Sequence, residues 1–386
     1  MPSGKCPECG NSQSKQVERV DSCPQCGCLM TGTHGPQQER PSLLRRFTGS
    51  GKPACSWSIQ AHAHGCNAVA AKRDGSAIVT IGGHNLGTEL RVWDVVTGKC
   101  RKEFSVGADS SRQVLALFND DKCAIANDRN MAGVVVQEIH IYSLASGSHV
   151  ATYTPKNRWT DQTITMRYMG GDRSGLRIND LLVTSNNRWL IAATNFFHAA
   201  VFDTSSGECV RRLGIAELPL PFDGHASSVT SLALTTDGSR LLTGGEDDTI
   251  RVWDLDTCGC LATIAVGSGG VASIAVTADD RHIVSLGSDS KIRTWDLRSG
   301  ACLGAVGEGV TSFALVHDAG ISRIVSTDYD DTREKSVIQV WNLPTCKYVG
   351  LLGEHTAKID AVVLLGADAK LATSDTDGSI KLWDLC

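Results

Sequence analysis

Short segments that alternate apolar and polar residues recur along the chain, and each closes on an aromatic side chain. Five are close copies: Leu90–Asp94, Ile250–Asp254, Ile292–Asp296, Ile338–Asn342 and Ile380–Asp384, with the aromatic always a tryptophan. Two weaker copies, Ile139–Ser143 and Ala199–Asp203, end on Tyr142 and Phe202 instead. A period of two predicts a strand with one face buried. After most copies comes a small-residue turn and a further short strand, as at Thr97–Cys100 and Ser206–Cys209. Before most copies lie two apolar runs separated by an Asp, Asn or Gly turn, as in Leu232–Leu242. The repeating unit is therefore four strands.

This unit resembles the WD-repeat family, and the resemblance covers residues 54–386. The resemblance implies four-stranded blades with a period of roughly 40–45 residues. Seven copies then predict an all-β, seven-bladed WD-repeat β-propeller. The family's buried hydrogen-bond chain maps onto His225, Thr243, Asp247 and Trp253 in blade four, and onto His355, Thr373, Asp377 and Trp383 in blade seven. Blade five keeps Ser285, Asp289 and Trp295 without a histidine, and blades one, two, three and six depart further. A buried aspartate is tolerable only when its acceptors are satisfied. These residues are accordingly read as a structural network rather than as catalytic groups.

The sequence stops directly after the third strand of the last repeat, at Cys386. Blade seven then lacks an outer strand of its own. Cys55–Ile59, which alternates like a strand just ahead of blade one, is expected to supply it and remove the open edge.

Insertions interrupt the repeat unevenly. The signature aromatics Trp93, Tyr142, Phe202, Trp253, Trp295, Trp341 and Trp383 are spaced 49, 60, 51, 42, 46 and 42 residues apart. The surplus falls at Pro155–Arg177, Asp128–Gln137, Gly214–Phe222 and Asp328–Lys335. All are blade-to-blade or second-to-third-strand connections, which leave an up-and-down blade on the same face. Long loops in a compact domain concentrate function. One decorated binding face is therefore expected, with Arg158, Trp159, Arg167, Tyr168 and Arg173 of the longest insertion as candidate partner-binding residues. Packing of those aromatics on the rim is the plainer alternative.

Composition narrows the classes. The 386 residues are 41% hydrophobic and 20% charged, as in an ordinary globular protein. A net charge of −5 disfavours a mainly electrostatic nucleic-acid binder, though the arginine- and aromatic-bearing insertion also suits single-stranded nucleic acid. No apolar run is long enough to cross a membrane, and the N-terminus lacks the apolar core of a signal peptide. An intracellular, cytoplasmic or nuclear location is expected, with the fifteen cysteines as metal ligands or free thiols rather than disulfides.

Four of those cysteines form two near-identical hooks, Cys6-x-x-Cys9 and Cys23-x-x-Cys26. Each hook places two thiolates on one ion, and two hooks complete a zinc tetrahedron. The segment resembles a zinc ribbon with a short interval, and structural Zn2+ is the expected cofactor. Cys28 and His34 are spare candidates. A redox dithiol lacks its strand–helix setting here, and a ring domain needs eight ligands where six exist. The expected organisation is a ribbon-like module over 1–30, a flexible linker over 31–53 and the propeller over 54–386. Cys100, Cys209, Cys260 and Cys302 open fourth strands at matching positions, where a small apolar side chain would fit. Of His62, His64 and Cys66, one histidine is expected to be blade one's inward hydrogen-bonding residue rather than a metal ligand.

No nucleophile–base motif or phosphate loop stands out, so a non-enzymatic interaction scaffold binding other proteins is the leading reading. Neither a membrane nor a small-molecule substrate is expected. One alternative is a substrate receptor of a cullin-type ubiquitin ligase, on Ile283–Asp289 and Ile292–Arg298, where Arg298 adds the information. Another is an RNA- or ribosome-associated protein. A catalytic site in the central channel is the remaining class.

Overall fold

The computed structural model describes residues 55–385 apart from 64, 85–86, 107–112, 132–133, 156–175, 215–223, 319–320, 331, 333 and 367–369. The zinc candidates Cys6, Cys9, Cys23 and Cys26, their spares Cys28 and His34, and the linker lie outside the described residues. So do the loop candidates Arg158, Trp159, Arg167, Tyr168 and Arg173.

Twenty-eight strands, β1 to β28 in chain order, form seven four-stranded antiparallel sheets among the described residues. Six sheets use four consecutive strands. The seventh joins β26 (Ile359–Leu365), β27 (Lys370–Asp375) and β28 (Ser379–Asp384) to β1 (Cys55–Gln60). β1 runs antiparallel to β28, with Ile59 opposite Ile380. Trp57 locks this junction: its ring lies 3.1 Å from where a Cβ on Gly98 would stand, and its Nε1 donates to Val95 O at 2.9 Å. Gly98, at φ 66°, is where only glycine combines the turn with that ring.

The core is divided into seven clusters, each drawn from two neighbouring blades. Ala61, Cys66, Ile78 and Trp93 of blade one, for example, meet Leu365, Ala372, Ile380 and Leu382 of blade seven. The alternation in each signature segment explains this. In β16 (Thr249–Asp254), Ile250, Val252 and Trp253 are buried while Thr249, Arg251 and Asp254 are only partly so. Both faces of a blade must be apolar because each packs on a neighbour.

Two connections differ from the sequence expectation. Asp128–Gln137 is not a loop: β7 (Lys122–Met131) and β8 (Val134–Ser143) run ten residues each, and Asp128 pairs with Gln137. β23 (Ile321–Asp330) and β24 (Lys335–Asn342) likewise pair out to Asp330 and Lys335. By contrast, β15 (Arg240–Gly245) and β16 run six residues each. The extra residues thus lengthen hairpins by continuing the ladder, which satisfies their backbone groups.

Candidate functional site

Five blades carry a tryptophan, buried in four and half-buried at Trp341, whose indole N–H donates to a hydroxyl on the neighbouring second strand. The pairs are Trp93–Thr80 at 2.9 Å, Trp253–Thr243 at 2.8 Å, Trp295–Ser285 at 2.9 Å, Trp341–Ser326 at 2.8 Å and Trp383–Thr373 at 2.8 Å. Blades two and three change both partners together. Tyr142 and Phe202 replace the tryptophan, and by register Ile125 and Ala192 replace the hydroxyl. An indole N–H can only donate, so burying it requires an acceptor. Without an indole N–H at that place, the acceptor position becomes apolar.

In blade four the relay runs on. His225 Nε2 lies 2.6 Å from Thr243 Oγ1, and His225 Nδ1 lies 2.9 Å from Asp247 Oδ1. The indole donates to Thr243, so the hydroxyl proton faces Nε2 and the Nδ1 proton faces the carboxylate. Asp247 also accepts from Ala226 N and Thr249 Oγ1, each at 2.8 Å. Burial alone would raise its carboxyl, but the bonds from His225 and Ala226 outweigh it and hold Asp247 well below the usual carboxylate range.

Blade seven repeats the relay with a different carboxylate. His355 Nε2 lies 2.7 Å from Thr373 Oγ1, but His355 Nδ1 meets Asp375 Oδ2 at 2.8 Å rather than Asp377. Asp375 also accepts from Ser379 N at 2.9 Å. The cause is the residue two after the threonine. In blade four it is Gly245, where a Cβ would stand 2.4 Å from His225 Nδ1 and 2.6 Å from Asp247 Oδ1. That missing side chain lets the turn aspartate reach in. In blade seven the same position is Asp375, which brings its own carboxylate and displaces Asp377 from the role.

Blade one keeps the inner half: His62 Nε2 lies 2.8 Å from Thr80 Oγ1. Its Nδ1 stands 4.0 Å from Glu89, and burial, aided by the Arg91 charge, lowers His62 to about 4. Cys66 is buried and its thiol lies 3.6 Å from Ala68 O, while His64 lies outside the described residues. In blade five, Asp289 has no histidine and pairs with Arg293 at 2.7 Å. In blades four and seven these chains are buried inside the blade, where they fix the turn of the second-to-third-strand hairpin.

The fourth-strand cysteines are more exposed than a small apolar residue would be: Cys100 and Cys302 are exposed, Cys209 and Cys260 half-buried. Each thiol lies within 3.2–3.8 Å of the carbonyl two residues on, beside the bulge where the strand joins its partner.

Sequence reading also missed the joints between inner strands. β10 (Ile178–Val183), β14 (Val229–Leu234) and β18 (Val271–Val276) are each bulged at their second residue. In β10 and β14 the next side chain reaches the following blade: Asp180 Oδ2 accepts from Leu232 N at 2.8 Å, and Ser231 Oγ from Ile274 N at 3.1 Å. Burial pushes Asp180 up to about 7, with the N–H groups of Leu232 and Leu181 opposing it.

On the face opposite the lengthened hairpins, aspartates cap the short turns. Asp94 accepts from Thr97 N at 2.6 Å, Asp254 from Thr257 N at 2.7 Å and Asp296 from Ser299 N at 2.7 Å. The Thr97 N–H and Arg101 lower Asp94 to about 2.

The WD domain, G-beta repeat family matches residues 217–254, 258–296 and 346–384. The chain carries WD40 repeats. The matched stretches hold blades four, five and seven, the first and last of which contain the full relay from tryptophan to carboxylate. Blades one, two, three and six share the strand plan of those repeats.

WD repeat-containing protein 18 from Homo sapiens is 47% identical over 45 residues, which are 12% of this chain and 10% of that protein. Target of rapamycin complex subunit wat1 from Schizosaccharomyces pombe is 32% identical over 80 residues, 20% of this chain and 23% of the relative. The LST8 homolog of Dictyostelium discoideum is 29% identical over 93 residues, 24% and 28% respectively. The similarity thus spans about a tenth of the first of these relatives and a quarter or so of the others.

Proposed function

We propose that this protein is a non-enzymatic scaffold that holds a protein partner on the face where the second-to-third-strand hairpins project. The lengthened ladders of β7–β8 and β23–β24 carry this reading. They raise two ribbons above a ring whose opposite face has, among the described residues, short turns, several of them capped by aspartate. A relative named as a complex subunit supports a role in assembly. The Pro155–Arg177 insertion belongs to the same face by connectivity, and Arg158, Trp159, Arg167, Tyr168 and Arg173 are its proposed contacts. Cys6, Cys9, Cys23 and Cys26 are proposed to hold a structural Zn2+ in a second adhesive module. Exposed free thiols at Cys55, Cys100 and Cys302 favour a reducing, intracellular setting.

Affinity capture from native lysate tests the reading, comparing the full chain with a variant carrying alanine at Arg158, Trp159, Arg167 and Tyr168. Partner recovery should fall while the melting temperature holds. Unchanged recovery removes the loop from the binding face, and nuclease-sensitive recovery moves the partner class to RNA.

A further inference from the structure

In the six third-to-fourth-strand turns of blades one to six, the N–H of the fifth residue donates to the carbonyl of the first at 2.8–2.9 Å, as from Gly98 to Asp94 and from Cys258 to Asp254. That fifth residue has a positive φ in every turn, between 55° and 72°. Glycine takes this conformation freely and a residue with a side chain does not. Four turns accordingly use Gly98, Gly147, Gly207 and Gly300, and the preceding blade lays a large side chain over each, Trp57 and Tyr153 among them.

Blades four and six depart from this rule, with Cys258 at φ 61° and Cys346 at φ 55°. At Cys346 the two sides of the junction have exchanged sizes. Gly304 of the preceding outer strand is the glycine there, and a Cβ on it would stand 3.1 Å from the Cys346 thiol. Cys258 has no such counterpart, since β13 (Cys209–Leu213), the preceding outer strand, contains no glycine. Its backbone conformation is kept for a side chain that no exchange of size accounts for.

A second thiol sets Cys258 apart. Cys260 opens the fourth strand two residues on, whereas Cys100, Cys209 and Cys302 each follow a glycine at that distance. Cys258 and Cys260 pack against one cluster, that of Leu213, Trp253 and Leu255, so both side chains turn toward blade three. Both thiols are free and half-buried. Gly259 between them carries no side chain, and Arg251 Nη1 donates to Cys260 Sγ at 3.9 Å. Two residues apart, the Cα atoms stand no more than about 7 Å from each other, at the edge of what a disulfide spans. A bend at Gly259 closes the remainder.

We propose that Cys258 and Cys260 are a reversible redox site, closed to a disulfide by exchange with glutathione disulfide. One cysteine loses its proton and attacks the small disulfide, forming a mixed disulfide and releasing a glutathione thiolate that takes up the proton. The second cysteine does the same to the mixed bond and releases the other glutathione. Two protein thiols are thereby oxidised by two electrons, and one glutathione disulfide is reduced to two thiols. The turn is tied to blade three by Arg211, which donates to Leu255 O, so closure acts on that seam. The inference is independent of the protein-scaffold reading.

To test it, the full chain is equilibrated in glutathione buffers running from reduced to oxidised, its free thiols are blocked, and it is digested with trypsin. Residues 252–281 then come off as one peptide whose cysteines are Cys258 and Cys260, and residues 299–323 as another that holds Cys302. The first peptide should escape blocking and weigh two hydrogens less. It should do so at a glutathione disulfide level about tenfold or more below that at which Cys302 is modified. A thiol reductant should restore it. Cys258→Gly, which copies the turn of four other blades, should keep the melting temperature and leave Cys260 no more reactive than Cys302. Cys260→Ser should also abolish closure, and it keeps the test valid if Cys258→Gly fails to fold. Glutathione carried on either cysteine in place of closure, oxidation in step with Cys302, or no loss of hydrogens in fully oxidised buffer overturns the inference.

Discussion

His355 Nδ1 lies 2.8 Å from Asp375 Oδ2, and Asp377, the residue aligned with the histidine's partner in blade four, is left out of the relay. Replacing Asp375 by alanine should therefore cost about 2–3 kcal/mol, because His355 loses its acceptor inside the blade. Asp377→Ala should stay within about 0.5 kcal/mol. Denaturant unfolding of the two variants checks this, and equal losses would reinstate Asp377.

The paired change of indole and hydroxyl across blades predicts coupling. Ser326→Ala orphans the Trp341 N–H and should cost roughly 1–2 kcal/mol. The double variant Ser326→Ala with Trp341→Phe should cost less than the two single losses added, since it recreates the apolar solution of Phe202 and Ala192. A double-mutant cycle measures the difference, and simple additivity would count against it.

Asp180 makes stability depend on pH. Its folded value is raised from 3.8 to about 7, so the folded state holds the proton more tightly than the unfolded chain. The contribution is intact below about pH 4, declines as pH rises toward 7 and is lost above it. Asp180→Ser, which copies the joint made by Ser231, should match the parent near pH 4 and exceed it by roughly 1–3 kcal/mol at pH 8. Melting curves across that range read the gap, and a gap independent of pH would contradict the assignment.

Trp57 carries the closure of the ring. Trp57→Ala should lose about 3 kcal/mol through the vacated space over Gly98. It should also populate oligomers by exposing the β28 edge. Unfolding curves and light scattering together report both effects.

The full chain should purify with about one zinc per chain. Cys6→Ser with Cys9→Ser should remove the metal and leave the propeller's melting transition in place. Metal analysis by mass spectrometry and calorimetry decide this.

Much of the fold was legible because the third strand of each blade has to satisfy two demands at once, alternation and a buried indole. The closure by β1 followed from a count of strands. The partner of His355 was not legible, because Gly245 and Asp375 occupy one position and only the three-dimensional reach of the turn decides between the carboxylates. The β7–β8 ribbon read as an inserted loop because Asp128–Met131 lack apolar alternation, although an antiparallel ladder needs only backbone groups.

The pairing of β1 with β28 has a consequence for how the protein is made. Residues 55–60 leave the ribosome long before residues 379–384 exist. At translation rates of about 5–20 residues per second, β1 waits roughly 15–60 s for its partner. Over that interval the nascent chain displays an unpaired strand bearing Trp57, and the last blade is finished only by reaching back to the oldest segment of the ring.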